Sequence, residues 1–389
     1  MKSVWILALA LLLAGCGAKA EPVPAAAVPE TVETAEPAET AETAEPTREP
    51  ALRAEQPGDP ILELLAAMSP EEKVGQMILT RCPETGALED IARYRPGGFV
   101  LFGRDFEGQT PDTLREKLRS FQAASRIPLL LAVDEEGGTV TRISGFKAFR
   151  PEPFPSPRSL YEQGGLELVL SLESEKAFLL SDLGLNVNLA PVCDIAQRPG
   201  SFLYSRSLGA DPETTGRFVS QSLERMAEYG VGGVMKHFPG YGENGDTHFE
   251  RIVDDRPLSQ LESRDLLPFA AGIQTGLGAV MLSHNTVTAL DSQNPASLSG
   301  NVVAYLREKM GFSGVILTDD LSMGALKSYG SGQSGVMAVK AGVTMLCCTD
   351  YVTQIRAILD AVSAGEISET VIDDAVYRIL TWKQQLGLL

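Results

Sequence analysis

Lys236 to His248 reads KHFPGYGENGDTH, and the way it leaves the apolar run before it decides how the chain is read. That run is GVGGVM, residues 230–235. The Phe-Pro-Gly after Lys236-His237 can neither continue a central strand nor begin a regular helix. A strand that ends in a glycine-rich loop, carrying a lysine and a histidine at its tip, is the expectation. The stretch also holds two of the protein's three histidines, and the third, His284, follows a short way on. Imidazole alone has an ordinary pKa, about 6.5, that lets it trade protons near neutrality. A single histidine is easily a satisfied core residue; three gathered at strand ends point to catalysis.

Working outward, apolar β-rich runs recur on both sides of this one. They are GQMILT (75–80), GGFVLF (97–102), IPLLLAVD (127–134), NVNLAPVCD (186–194), GVMKHF (233–238), AVMLSH (279–284), GVILTDD (314–320) and TMLCC (344–348). Helical patterns separate them; residues 211–229 open on Asp-Pro and stop at Gly230. Alternation of this kind marks a parallel sheet built from βα units. Eight strands close most simply into a (β/α)8 TIM-type barrel, which leaves no edge exposed. An open doubly wound sheet would carry a glycine-rich phosphate fingerprint, and this chain has none. The polar residues fall in register at strand ends: Asp134-Glu135-Glu136, Asp194, Lys236-His237, His284 and Asp319-Asp320. Helix caps and buried ion pairs would explain one or two of these, but not all of them. In such barrels the active site sits at the C-terminal ends of the strands.

Before the barrel lie two segments of different composition. Lys2 precedes the apolar run VWILALALLLA (4–14), which has the length of an export signal and is too short to span a bilayer. It ends in Leu13-Ala14-Gly15-Cys16, which resembles the lipobox of bacterial lipoproteins. That resemblance implies a signal peptide over 1–15 and a diacylated Cys16. Two acyl chains suffice for stable anchoring, here on the extracytoplasmic side of the cell membrane. Residues 16–57 are rich in Pro, Ala, Glu and Thr. Nine glutamates against Lys19, Arg48 and Arg53 give a net charge of −6. Such a composition cannot bury enough apolar surface to offset its ordering entropy, so a disordered spacer is expected. One catalytic domain over 58–389 remains. The overall charge of −18 argues against nucleic acid as a partner. Cys82, Cys193, Cys347 and Cys348 lie within or beside apolar runs, where buried thiols are expected, and no ligand spacing for a metal occurs.

The segments DEEGGTVTR (134–142), SRSLG (205–209), KHFPGYG (236–242), DTH (246–248), PASLS (295–299) and TDDLSMGA (318–325) together resemble the motifs of glycoside hydrolase family 3. More narrowly the chain resembles the single-barrel, NagZ-type β-N-acetylhexosaminidases, over the whole domain and in family order. The resemblance implies an Asp319 nucleophile. It also implies a His248 acid/base held by Asp246 on a mobile loop, and contacts from Asp134, Arg142, Arg206, Lys236 and His237 to the sugar. An alternative for Arg206 and Lys236 is salt bridging to Asp134 or Glu136 away from substrate. Asp320 is expected to be structural, because successive strand residues face opposite ways. His284 is expected only to shape the pocket.

The chain departs from the pattern at several places. Glu135 stands for a glutamine, Thr139 for an arginine, Tyr241 for a histidine and Thr247 for a serine, and the loop between Gly242 and Asp246 is one residue short. Thr139 and Tyr241 are expected at the rim, near the rest of the substrate. The implied activity is retaining, exo-acting release of N-acetylglucosamine from peptidoglycan fragments or chitooligosaccharides, by a monomer without a cofactor. A family 3 β-glucosidase, an N-acetylglucosaminide phosphorylase and a non-catalytic glycan-binding lipoprotein are the alternatives.

Overall fold

Glycines open the strand on which the reading turned. A Cβ at Gly232 would lie 2.7 Å from the Trp382 ring, and one at Gly233 would lie 2.5 Å from Leu223. Only a bare backbone lets β5 (Gly232–Phe238) pass that close to its neighbouring helices. The computed structural model describes residues 58–389, so the signal, Cys16 and the spacer lie outside the described residues. Before β5 come β1 (Ile78–Arg81), β2 (Gly98–Leu101), β3 (Leu130–Val133) and β4 (Val187–Asn188). After it come β6 (Val253–Asp254), β7 (Ala279–Leu282), β8 (Thr286–Val287), β9 (Ile316–Thr318) and β10 (Leu346–Cys348).

Eight of these pair in parallel in the order β10-β1-β2-β3-β4-β5-β7-β9. The Leu317–Met345 bridge joins β9 to β10 and completes the ring. Helices surround it, so the expected (β/α)8 barrel is the observed fold. The strands are shorter than the apolar runs suggested. In 186–194, for example, Pro191 has no N–H to give, and only Val187–Asn188 forms a regular ladder. β6 and β8 form a separate two-residue parallel ribbon that the sequence reading missed.

The helix Pro212–Glu228 shows why the surrounding layer forms. Asp211 caps it by accepting from the Thr214 amide at 2.8 Å, and Gly230, at φ +68°, ends it. Its buried face carries Phe218, Val219, Leu223 and Met226. At the opposite end from the strand tips, Lys383 of the helix Glu369–Gln385 is fully buried, and its Nζ donates a hydrogen bond to Gln76 Oε1 at 2.7 Å. Burial pulls its pKa down to about 7. No helix among the described residues is long and apolar enough to cross a membrane.

Candidate active site

The C-terminal strand ends enclose a cavity of about 620 Å³ lined by, among others, Asp134, Arg142, Arg206, Lys236, His237, His248 and Asp319. Every expected sugar-side and reacting residue except Asp246 thus faces one space. Asp246 stands one shell behind, against His248.

The floor is a charge network. Lys236 Nζ meets Asp134 Oδ1 at 2.7 Å and Glu136 Oε1 at 2.6 Å. Arg206 grips Glu136 with both arms of its guanidinium, Nε to Oε2 at 2.8 Å and Nη2 to Oε1 at 2.7 Å. The Lys236 and Glu136 side chains are 3% and 1% exposed. Burial opposes charge on all three groups. The cations nonetheless hold Glu136 well below the usual carboxylate range, and the carboxylates raise Lys236 and Arg206. Arg206 and Lys236 thus form the salt bridges of the alternative reading, and both also line the cavity. Consecutive Lys236 and His237 both reach it because the β5–β7 register breaks between Met235 and Phe238.

Asp194 anchors the next layer. Its Oδ2 accepts from His237 Nδ1 at 2.8 Å and from the His237 amide at 2.9 Å, and its Oδ1 accepts from the Tyr241 amide at 2.7 Å. His237 Nε2 then lies 3.4 Å from Arg206 Nη2, a group that only donates. Asp194 had no assigned role; its place at a strand end was the available signal. Glu135 turns away from the cavity and accepts from the amides of Arg142 and Ile143, each at 2.8 Å. It also accepts from the Ser144 hydroxyl. It braces the segment that carries Arg142.

Asp319 lies just past β9. Its Oδ1 accepts from the Asp320 amide at 2.8 Å. Burial would raise its pKa, but the His284 and His237 imidazoles and that amide outweigh burial and leave it lowered. His284 is lowered by burial as well. Its Nε2 points at the Asp320 carbonyl at 3.0 Å and its Nδ1 at Ser297 Oγ at 2.7 Å. The Asp320 carbonyl can only accept, so Nε2 carries a proton, while the Ser297 hydroxyl can meet Nδ1 as donor or acceptor. His284 is buried behind the cavity wall rather than in it. Asp320 does line the cavity, contrary to the alternation argument, because β9 already ends at Thr318. Its carboxylate is occupied by the Ser322 amide and hydroxyl at 2.9 and 2.8 Å.

His248 and Asp246 sit on the loop after β5, 53% and 26% exposed. Asp246 Oδ1 holds His248 Nδ1 at 2.6 Å and the His248 amide at 2.9 Å, which leaves Nε2 free to trade a proton. Thr139 is exposed at the cavity mouth as expected. Tyr241 is not: it is 1% exposed and packs with Ala196, Leu203 and Phe202. A glycine on either side turns the chain there, and the large ring fills the space under the loop. The four cysteines among the described residues are free thiols, and Cys347 is only partly buried, with an edge on the cavity.

A cavity at the carboxyl end of a closed parallel barrel, with three carboxylates and a carboxylate-held imidazole around it, suits a glycosidase-type hydrolase. The family model "Glycosyl hydrolase family 3 N terminal domain" matches residues 69–382, and the chain belongs to that family. A β-hexosaminidase of Nitrosomonas eutropha is 35% identical over 265 residues, 65% of this chain and 74% of that protein. β-Hexosaminidase LpqI of Mycobacterium tuberculosis is 30% identical over 334 residues, 82% of this chain and 84% of that protein. Among solved structures, a family 3 β-N-acetylglucosaminidase from Paenibacillus superposes with a TM-score of 0.77 at 32% identity. The match covers 83% of this chain and 63% of that one. The protein is a glycoside hydrolase of the β-hexosaminidase type, and its substrate is a glycan.

Proposed function

We propose that the enzyme is a retaining exo-β-N-acetylhexosaminidase that removes a terminal, non-reducing N-acetylglucosamine in two displacements. The observation that carries this reading is the convergence of Asp319 and the Asp246-held His248 on one cavity. In the first step the Asp319 carboxylate attacks the anomeric carbon. The bond to the leaving oxygen breaks, and His248 Nε2 gives that oxygen its proton. In the second, water attacks the same carbon and gives its proton to His248, and Asp319 departs. Asp246 keeps the other ring nitrogen protonated, so that Nε2 is always the exchanging atom. Asp134, Arg142, Arg206, Lys236 and His237 bind the sugar, with ionised groups making the stronger hydrogen bonds to its hydroxyls. No cofactor enters either step, and one chain supplies every group, so a monomer suffices.

The cavity also favours one kind of aglycone. Arg81 and Arg142 flank the Phe102 ring at 4.6 and 5.8 Å, and neither has a carboxylate partner among the described residues. An uncompensated positive wall suits a substrate that carries a carboxylate, which favours peptidoglycan fragments over neutral chitooligosaccharides. A domain over 58–389, tethered through a lipidated Cys16 and the 16–57 spacer on the extracytoplasmic side, would meet such fragments outside the cell.

The test is release of 4-nitrophenol from its N-acetyl-β-glucosaminide and its β-glucoside by the full chain and its Asp319→Ala variant, with and without phosphate. Turnover of the first substrate alone, lost in the variant and indifferent to phosphate, is expected. Turnover of the glucoside, or dependence on phosphate, would move the reading to a glucosidase or a phosphorylase.

A further inference from the structure

Two of the chain's departures from the family pattern meet in space. The Tyr241 hydroxyl is within hydrogen-bond reach of Thr247 Oγ1, and both residues are buried, at 1% and 0% exposure. Neither hydroxyl has another hydrogen-bond partner among the described residues. Thr247 stands between Asp246 and His248, so the contact is made under the loop while its two neighbours hold the imidazole above.

Tyr241 is itself fixed from below. Its amide donates to Asp194, the carboxylate that also holds His237, and its ring stands edge-on to the His237 imidazole at 5.3 Å. It therefore joins the sugar floor to the loop. The loop is held from the far side as well. The Ala325 amide donates to the Thr247 carbonyl at 3.1 Å, and the Gly324 amide donates to the His248 carbonyl at 3.0 Å. Residue 324 must be glycine for this docking, since a Cβ there would lie 2.6 Å from the His248 carbonyl oxygen. Glu243 ties the start of the loop by accepting from the amides of Gln197 and Arg198 at 2.7 and 3.1 Å.

We propose that Tyr241 and Thr247 form a positioning pair whose hydroxyl contact sets where the Asp246–His248 dyad stands over Asp319. This rests on the reading of His248 as the acid/base. A loop with three residues between Gly242 and Asp246 has little slack, so a hydroxyl contact at Thr247, between the two members of the dyad, fixes the dyad rather than merely packing it. The pair touches no substrate and acts only through the dyad. Proton transfer is steeply sensitive to placement, and an error of about 1 Å costs up to about a hundred-fold. Burial pushes the Tyr241 phenol up, so it stays protonated at any working pH.

The experiment compares kcat/KM of the full-length protein for two substrates. Di-N-acetylchitobiose needs acid assistance to its leaving oxygen, and 2,4-dinitrophenyl N-acetyl-β-glucosaminide does not. Tyr241→Phe and the near-isosteric Thr247→Val are each expected to lose roughly ten-fold on chitobiose and less than about two-fold on the dinitrophenyl glycoside. Thr247→Ser, which keeps the hydroxyl, is expected to recover most of the loss. The double variant should be no worse than either single one, as for two halves of one contact. Equal losses on both substrates, or losses that multiply in the double variant, would overturn the proposal. His248→Ala serves as the reference. If it is selective for chitobiose while Tyr241→Phe is not, the positioning pair alone fails; if it shows no selectivity, the acid/base reading falls and the pair with it.

Discussion

The floor of the cavity and the loop above it are built on opposite principles. On the floor, Glu136 and Lys236 are buried, Asp134 and Arg206 are half-buried, and the four satisfy one another at 2.6–2.8 Å. On the loop, His248 is 53% exposed and meets a single carboxylate. A buried charge is tolerable only when paired, so the floor must be complete before substrate arrives and cannot adjust afterwards. An imidazole that alternates between acid and base must change charge twice in each cycle, which water at the loop makes inexpensive. On the proposed reading, sugar recognition and protein stability share residues here, whereas proton transfer is kept apart from both.

The account predicts how each region breaks. Asp319→Ala, at the junction of the two, should cost at least about a thousand-fold in kcat on aryl N-acetylglucosaminides, with the fold retained by circular dichroism. On the floor, Lys236→Met leaves Asp134 unpaired and Glu136 half-paired. It should cost about 3–5 kcal/mol of stability in urea melts, along with the activity. On the loop, Asp246→Asn should lower kcat roughly a hundred-fold yet shift stability by less than about 0.5 kcal/mol. A loop variant that unfolded the protein, or a floor variant that left stability intact, would erase the distinction.

A separate effect lies outside both regions. Lys383 has its pKa pulled from the ordinary lysine range down to about 7 by burial. Between pH 7 and about 10 the unfolded chain therefore binds a proton that the folded chain does not. Stability should rise with pH across that window, from a penalty that is constant below pH 7. Urea melts from pH 7 to 9.5 should show this rise in the native protein and not in Lys383→Met, whatever the variant's absolute stability.

Much of this was legible in the sequence. The eight strands are apolar runs, most of them with a glycine close by, and their polar ends fall in register, so the barrel and the end of it that carries the cavity followed from pattern alone. The Asp319, Asp246 and His248 assignments needed the family motifs, since no spacing rule relates residues 71 positions apart. Other features were hidden by side-chain direction. Glu135 follows the cavity residue Asp134 yet faces the other way, toward the Arg142 and Ile143 amides. Tyr241, expected at the rim, is buried because the glycine turn carries it under the loop. The half-buried Arg256 links Asp254 at 2.6 Å with Asp265 at 2.8 Å, and its contact with Asp265 gave no local signal because that partner comes from a separate element.

The central claim is a covalent intermediate on Asp319 whose breakdown needs His248. It is tested most directly by intact-mass spectrometry of His248→Ala mixed with 2,4-dinitrophenyl N-acetyl-β-glucosaminide. The activated leaving group lets the first step proceed without an acid, while loss of the base stalls the second. The account predicts accumulation of protein carrying one N-acetylhexosaminyl group, located by peptide mapping at Asp319. An adduct on another residue, or rapid turnover with no adduct and inverted product configuration, would contradict it.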